Sequence, residues 1–148
     1  LNEVAEGIGR HCISDLYGCS HKKLDDESFI REALVQAAER SGATLLSLTS
    51  HKFQPQGVTA LALLSESHIS IHTWPELGYA AVDAFTCGTH TDPKKACEHL
   101  ETTLEAKTGT ETLLERVLPT PSMLYLGVGQ MKGLTDLPVT TGASSSTD

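Results

Sequence analysis

Ser65-Glu66-Ser67-His68-Ile69-Ser70-Ile71-His72-Thr73-Trp74-Pro75-Glu76 is the stretch on which the fold turns. Read as a strand over residues 66–76, it alternates. Glu66, His68, Ser70, His72, Trp74 and Glu76 fall on one side, and Ser67, Ile69, Ile71 and Thr73 on the other. A strand that only covered a core would show simple residues such as Lys, Thr and Glu on its wet side. Two imidazoles, an indole and carboxylates in register instead mark the wall of a site.

Outward from this stretch the strands continue. Residues 43–49 and Val58–Leu64 are apolar or β-branched runs, separated by a loop in which Pro55 and Gly57 break regular structure. Residues 75–78 turn the chain into residues 79–86, again a strand. Residues 8–17 form a first strand and residues 111–118 a last one. Two helices interrupt the series. Asp25 or Asp26 caps the first, whose Phe29, Ile30, Ala33, Leu34, Ala37 and Ala38 recur at helical spacing until Gly42 stops it. Thr91 or Asp92 caps the second, with Pro93 in its first turn, Ala96, Cys97, Leu100 and Leu104 as its buried stripe, and Gly109 as its expected end.

The order predicts an α+β fold, a two-layer sandwich of a largely antiparallel sheet with helices on one face. Its other face then needs a partner. Residues 1–118 make a single domain, and residues 119–148, rich in Pro and Gly and then in Ser and Thr, make a C-terminal extension expected to be at least partly disordered.

At 148 residues the chain is long enough to bury a core without disulfides or a metal. Its net charge is −8 and its pI near 5.3, with no basic run, so nucleic acid is not an expected partner and a cationic substrate is favoured. No apolar run is long enough to span a bilayer, and residues 1–6 lack the basic and then apolar order of a signal peptide. A soluble cytoplasmic protein without membrane partners is the expectation. The four cysteines lack C-x-x-C spacing and read as free thiols, with Cys12, Cys19 and Cys97 as small buried hydrophobes. His68 and His72 stand four apart, but on a strand and without a third ligand, so no metal site is expected. His11, His21, His51, His90, His99, Ser65 and Ser70 read as structural.

The Glu66-Ser67 peptide bond itself is a candidate for chemistry. A serine hydroxyl can attack the preceding carbonyl when the backbone is strained, converting the amide into an ester. Removal of the serine α-proton then eliminates the ester, leaving a new C-terminus at Glu66 and a dehydroalanine at residue 67, which takes up water and loses ammonia to become a pyruvoyl group. Such a ketone forms a Schiff base with a substrate amine and accepts the electrons freed when carbon dioxide leaves. The carbon is then reprotonated, and Cys87 in Phe85-Thr86-Cys87-Gly88 is the candidate donor.

Glu-Ser alone is common and inert; its company gives it weight. Glu66-Ser67-His68, followed by Ile71-His72-Thr73-Trp74-Pro75-Glu76 and then by Phe85 to Gly88, resembles the short prokaryotic form of pyruvoyl-dependent S-adenosylmethionine decarboxylase. Gly9-Arg10-His11, Ser41-Gly42-Ala43-Thr44, the loop through His51, Phe53 and Gly57, and Asp92-Pro93 extend the resemblance over residues 8–107.

The resemblance implies cleavage into residues 1–66 (the β chain) and 67–148 (the α chain). It implies Ser67 as pyruvoyl precursor and His72 as the processing residue that takes the α-proton, assisted by Thr59, where the family often carries Ser. It further implies Cys87 as proton donor, and Phe53, Trp74 and Glu76 as contacts to the adenine, pocket wall and ribose of S-adenosylmethionine. The product would be the aminopropyl donor of spermidine and polyamine synthesis. The implied assembly is a homodimer of cleaved protomers, α2β2, with sheets packed together and sites shared between copies. The competing readings are a pyruvoyl-dependent decarboxylase of ornithine or arginine, a non-catalytic regulatory homologue and a metal-binding module. Retention of Phe53, Trp74 and Glu76 argues against the first, and the complete set Ser67, His72 and Cys87 against the second.

Overall fold

A computed structural model describes residues 7–124. Its strands are β1 (Gly7–Tyr17), β2 (Leu45–Lys52), β3 (Val58–Leu64), β4 (Ser67–Trp74), β5 (Tyr79–Cys87) and β6 (Thr108–Val117). They form one sheet in the order β2-β3-β4-β5-β1-β6, and every neighbouring pair is antiparallel. The helices are α1 (His21–Leu24), α2 (Glu27–Arg40), α3 (Pro93–Thr103) and α4 (Pro121–Leu124). The α+β architecture expected from the sequence is the one observed.

Strict alternation builds the core on one side of the sheet. Val58, Ala60, Ala62 and Leu64 of β3, Ile69, Ile71 and Thr73 of β4, and Ala80, Val82, Ala84 and Thr86 of β5 are all buried. Against them α2 sets Ile30, Ala33, Leu34, Ala37 and Ala38, and α3 sets Ala96, Cys97 and Leu100. The many alanines let helix and sheet approach closely, as dense packing requires. Thr73, like Thr86, is a polar residue within this face. Its hydroxyl donates to the Leu24 carbonyl (2.8 Å) and accepts from the Val58 N–H (2.8 Å), tying α1 to the strands.

Asp26 caps α2 by accepting the Phe29 N–H at 3.0 Å, and Gly42, at φ 78°, follows its end as a left-handed residue. Asp92 caps α3, accepting the Lys94 N–H at 3.1 Å, with Pro93 in the first turn. Thr91 has another task, donating its hydroxyl to the Cys87 carbonyl at 2.9 Å.

Four expectations change. The short helices α1 and α4 were not foreseen. Strand β2 runs on to Lys52, because His51 and Lys52 still pair with Thr59 and Val58. Helix α3 ends at Thr103, not at Gly109: Glu105 turns left-handed at φ 57°, and the Ala106 N–H closes on the Glu101 carbonyl at 3.1 Å. Gly109 instead lies inside β6, paired with Leu16. Finally, the alternation of the central stretch holds only from His68 to Trp74; Glu66 lies in the turn before β4 and Glu76 in a 3-10 turn after it. The expectation of disorder beyond residue 118 falls mostly on residues outside those described.

The second sheet face carries Ile13, Tyr17, Leu61, Leu63 and Trp74, each 38–48 % exposed. Among the described residues no helix is long and apolar enough to cross a membrane. Ile71, fully buried at the centre of the sheet, tests this layering. Ile71→Ala is expected to cost about 2–5 kcal/mol, read as a lowered midpoint of denaturant unfolding at unchanged slope.

Candidate active site

A two-residue turn, Ser65-Glu66, joins β3 to β4, with Leu64 paired to Ser67 across it. Ser67 takes φ 141°, a region that holds few residues other than glycine and costs of order 1–3 kcal/mol. The strain persists because the turn is tied down around it. The Glu66 carbonyl accepts the Cys87 N–H at 2.8 Å, and the Ser65 N–H donates to the Thr44 carbonyl at 2.9 Å. The Glu66 carboxylate accepts the Thr44 N–H at 2.7 Å and meets His90 Nε2 at 3.2 Å. These bonds, Thr44 first and His90 second, hold its carboxyl below the usual carboxylate range.

Cys87 is therefore beside the Glu66-Ser67 bond through its own backbone. Gly9 makes room for it: a Cβ there would lie 2.5 Å from the Thr86 carbonyl oxygen and 3.1 Å from Cys87 Sγ. Cys87 is partly exposed, whereas Cys12, Cys19 and Cys97 are buried, as the sequence suggested. Burial pushes the Cys19 thiol up; contact with Cys12, followed by burial, does the same for Cys97.

The other expected residues gather at the far end of β4. Thr59 pairs with His72 across β3 and β4, and Thr59 Oγ1 lies 2.9 Å from His72 Nδ1. Trp74 stacks on Tyr79 at 5.1 Å, and Tyr79 on Tyr17 at 5.5 Å. Phe53, 46 % exposed, meets the His51 ring at 4.6 Å. Glu76 borders an open hollow of about 680 Å³ together with Lys52, Asp25, Gln56 and Pro75. Ser67 and His72 stand five positions apart, about 17 Å along a strand, so one chain does not bring the two together.

Three further side chains complete the picture, and the sequence reading passed over them. Asp83 of β5 projects from the open face, and its Oδ1 lies 2.8 Å from His11 Nε2 and 3.0 Å from His68 Nε2. Phe85 stands between the same two rings, 5.5 Å from His11 and 6.1 Å from His68, with the Arg116 guanidinium over it at 5.2 Å. A signal for Asp83 existed: it is the lone carboxylate on the outward side of residues 79–86, among Tyr79, Ala81 and Phe85. Tyr79, the third, donates its hydroxyl to Asp15.

The Asp15 hydrogen bond, with burial behind it, raises the Tyr79 phenol to about 12. A group whose folded value is raised stabilises the fold below its unfolded value and loses that contribution as pH climbs through the folded one. Ultraviolet titration should therefore show one tyrosine ionising near pH 12, with stability falling between about pH 10 and 12. Asp15→Asn should return that tyrosine toward pH 10.

Comparison with known proteins places the chain among relatives. Residues 10–117 match the family model described as S-adenosylmethionine decarboxylase. A protein of Synechococcus sp. (strain WH7803), named S-adenosylmethionine decarboxylase proenzyme, is 66 % identical over 99 residues, covering 67 % of this chain and 77 % of that one. A protein of the same name from Methanococcus maripaludis is 55 % identical over 94 residues, covering 64 % and 77 %. The crystal structure of the adenosylmethionine decarboxylase of Aquifex aeolicus VF5 superposes with a TM-score of 0.73 at 40 % identity, over 78 % of this chain and 95 % of that one. The chain belongs to the S-adenosylmethionine decarboxylase family.

Proposed function

We propose that this decarboxylase cleaves its own chain between Glu66 and Ser67, keeps a pyruvoyl group at Ser67, and decarboxylates S-adenosylmethionine at a site shared by two copies. The observation that carries the proposal is the Cys87 N–H on the Glu66 carbonyl, 2.8 Å away, beside a serine at φ 141°. Attack by Ser67 on that carbonyl puts negative charge on its oxygen. A donor already aimed at the oxygen favours that charge and needs no rearrangement to do so. Conversion to an ester also releases Ser67 from its strained amide.

The donor set fits the group to be formed. When present, a pyruvoyl group supplies an electrophilic ketone that captures the substrate amine and takes up the electron pair left by carbon dioxide. Cys87 lies at the same turn, and its thiol returns a proton to the substrate carbon. Phe53 and Trp74, both exposed, offer π-faces to the adenine and the sulfonium; Glu76 accepts from ribose hydroxyls. The acidic chain, at −8, draws in a cationic substrate.

Two copies are needed because the machinery is split. Ser67 and Cys87 stand at one end of the open face, and Thr59, His72 and Trp74 at the other. A two-fold axis through this face sets each end against its complement and buries Ile13, Leu61 and Leu63. His72 of one copy then takes the Ser67 α-proton of the other, with Thr59 fixing its ring.

Denaturing mass spectrometry of the purified protein should show two chains, the second beginning at a pyruvoyl group in place of Ser67, and Ser67→Ala should stay whole. A wild-type chain still intact after prolonged incubation would sink the proposal. Cys87→Ala should still be cleaved, because the backbone N–H remains, but should lose turnover by about 10²-fold or more.

Sharing of the site has its own check. Ser67→Ala and His72→Ala, each uncleaved alone, should yield cut His72→Ala chains when co-expressed, since the Ser67→Ala copy supplies His72. No cutting in the mixture would place the whole reaction within one chain.

A further inference from the structure

We infer that His68 is the base that starts chain cleavage, its ring held by Asp83 and His11; the inference rests on the reading of Ser67 as the residue that is processed. Ser67 Oγ lies 3.3 Å from His68 Nδ1, and His68 Nε2 lies 3.0 Å from Asp83 Oδ1. An ionised carboxylate can only accept, so Nε2 carries the ring proton and Nδ1 turns its lone pair toward the serine hydroxyl. Serine, imidazole and carboxylate thus stand in the relation that activates a hydroxyl nucleophile.

Three strands hold that ring. His68 on β4 and His11 on β1 both pair with Phe85 of the intervening β5, and both reach back to the same oxygen of Asp83. The second bond, from His11 at 2.8 Å, fixes the carboxylate that fixes His68. His72 cannot do this work within its own chain, being about 17 Å along β4 and bonded to Thr59. Processing accordingly uses two histidines: His68 of the same chain on the Ser67 hydroxyl, and His72 of a second copy on the Ser67 α-proton.

The step balances within the chain. His68 Nδ1 takes the Oγ proton as the bond from Oγ to the Glu66 carbonyl carbon forms, and the carbonyl electron pair moves onto the oxygen held by Cys87 N–H. When that pair returns, the bond from carbon to the Ser67 nitrogen breaks, and the proton on Nδ1 passes to the departing nitrogen. The product is an ester bearing a free amino group, with a neutral imidazole regenerated.

Hydroxylamine cleaves an ester and spares an amide, so in His72→Ala, where elimination is blocked, hydroxylamine-induced cutting reads ester formation alone. Adding His68→Ala to that background should slow the cutting by about 10²-fold, and free imidazole in the buffer should restore part of it. Asp83→Asn in the same background should also slow cutting, and nitrogen NMR should show His68 losing its single Nε2–H tautomer. A variant that is missing His68, folded by circular dichroism and cut at the parent rate overturns the inference while leaving self-cleavage intact. If His68→Ala does not fold, Asp83→Asn at the parent rate overturns it equally. An unmodified protein that never cleaves overturns the underlying reading instead.

Discussion

The hydrogen bond from the Cys87 N–H to the Glu66 carbonyl is the constraint to which the rest of the molecule answers. For it to form, β3 and β4 must meet in a two-residue turn, and β5 must run past Thr86 in register with Ser67. That register requires β1 to lie close against Cys87, which Gly9 allows. The flank of the turn is set from the helical layer, since Thr44, which holds both Ser65 and Glu66, lies in the short connection from α2 to β2. One amide thus links the hairpin, the central strand pair and the helix layer.

Much of this was legible in the sequence because burial follows period and caps follow chemistry. The alternation of Ile69, Ile71 and Thr73 against His68, Ser70 and His72 survives intact, as do the Asp26 and Asp92 caps. What failed were features set by turns. Glu66 and Glu76 continue the alternation on paper, but a tight turn and a 3-10 turn take them off the strand. Gly109 looked like a helix stop, yet Glu105 had already accepted a left-handed conformation.

The grouping of His11, Asp83 and His68 was illegible for another reason. Nothing local says that His11 and His68 both pair with Phe85: β4 and β5 are neighbours in the chain, but the register of β1 on β5 that sets His11 against Phe85 joins residues more than seventy positions apart. Each residue alone reads as an ordinary surface polar group. The separation of Ser67 from His72 was available from the start, because five residues on a strand span a fixed length. If both residues act on one bond, as proposed, that length calls for a second copy of the chain.

If the chain is cut between Glu66 and Ser67, as proposed, the strand order decides how its pieces stay together. A break between β3 and β4 leaves β1, β2 and β3 in one fragment and β4, β5 and β6 in the other. In the sheet, β3 borders β4, while β1 lies between β5 and β6. The fragments are woven through each other along three seams. Severing the chain therefore frees neither piece, but it makes unfolding a dissociation: the intact precursor refolds alone, whereas the two fragments must find each other, at a rate that depends on their concentration.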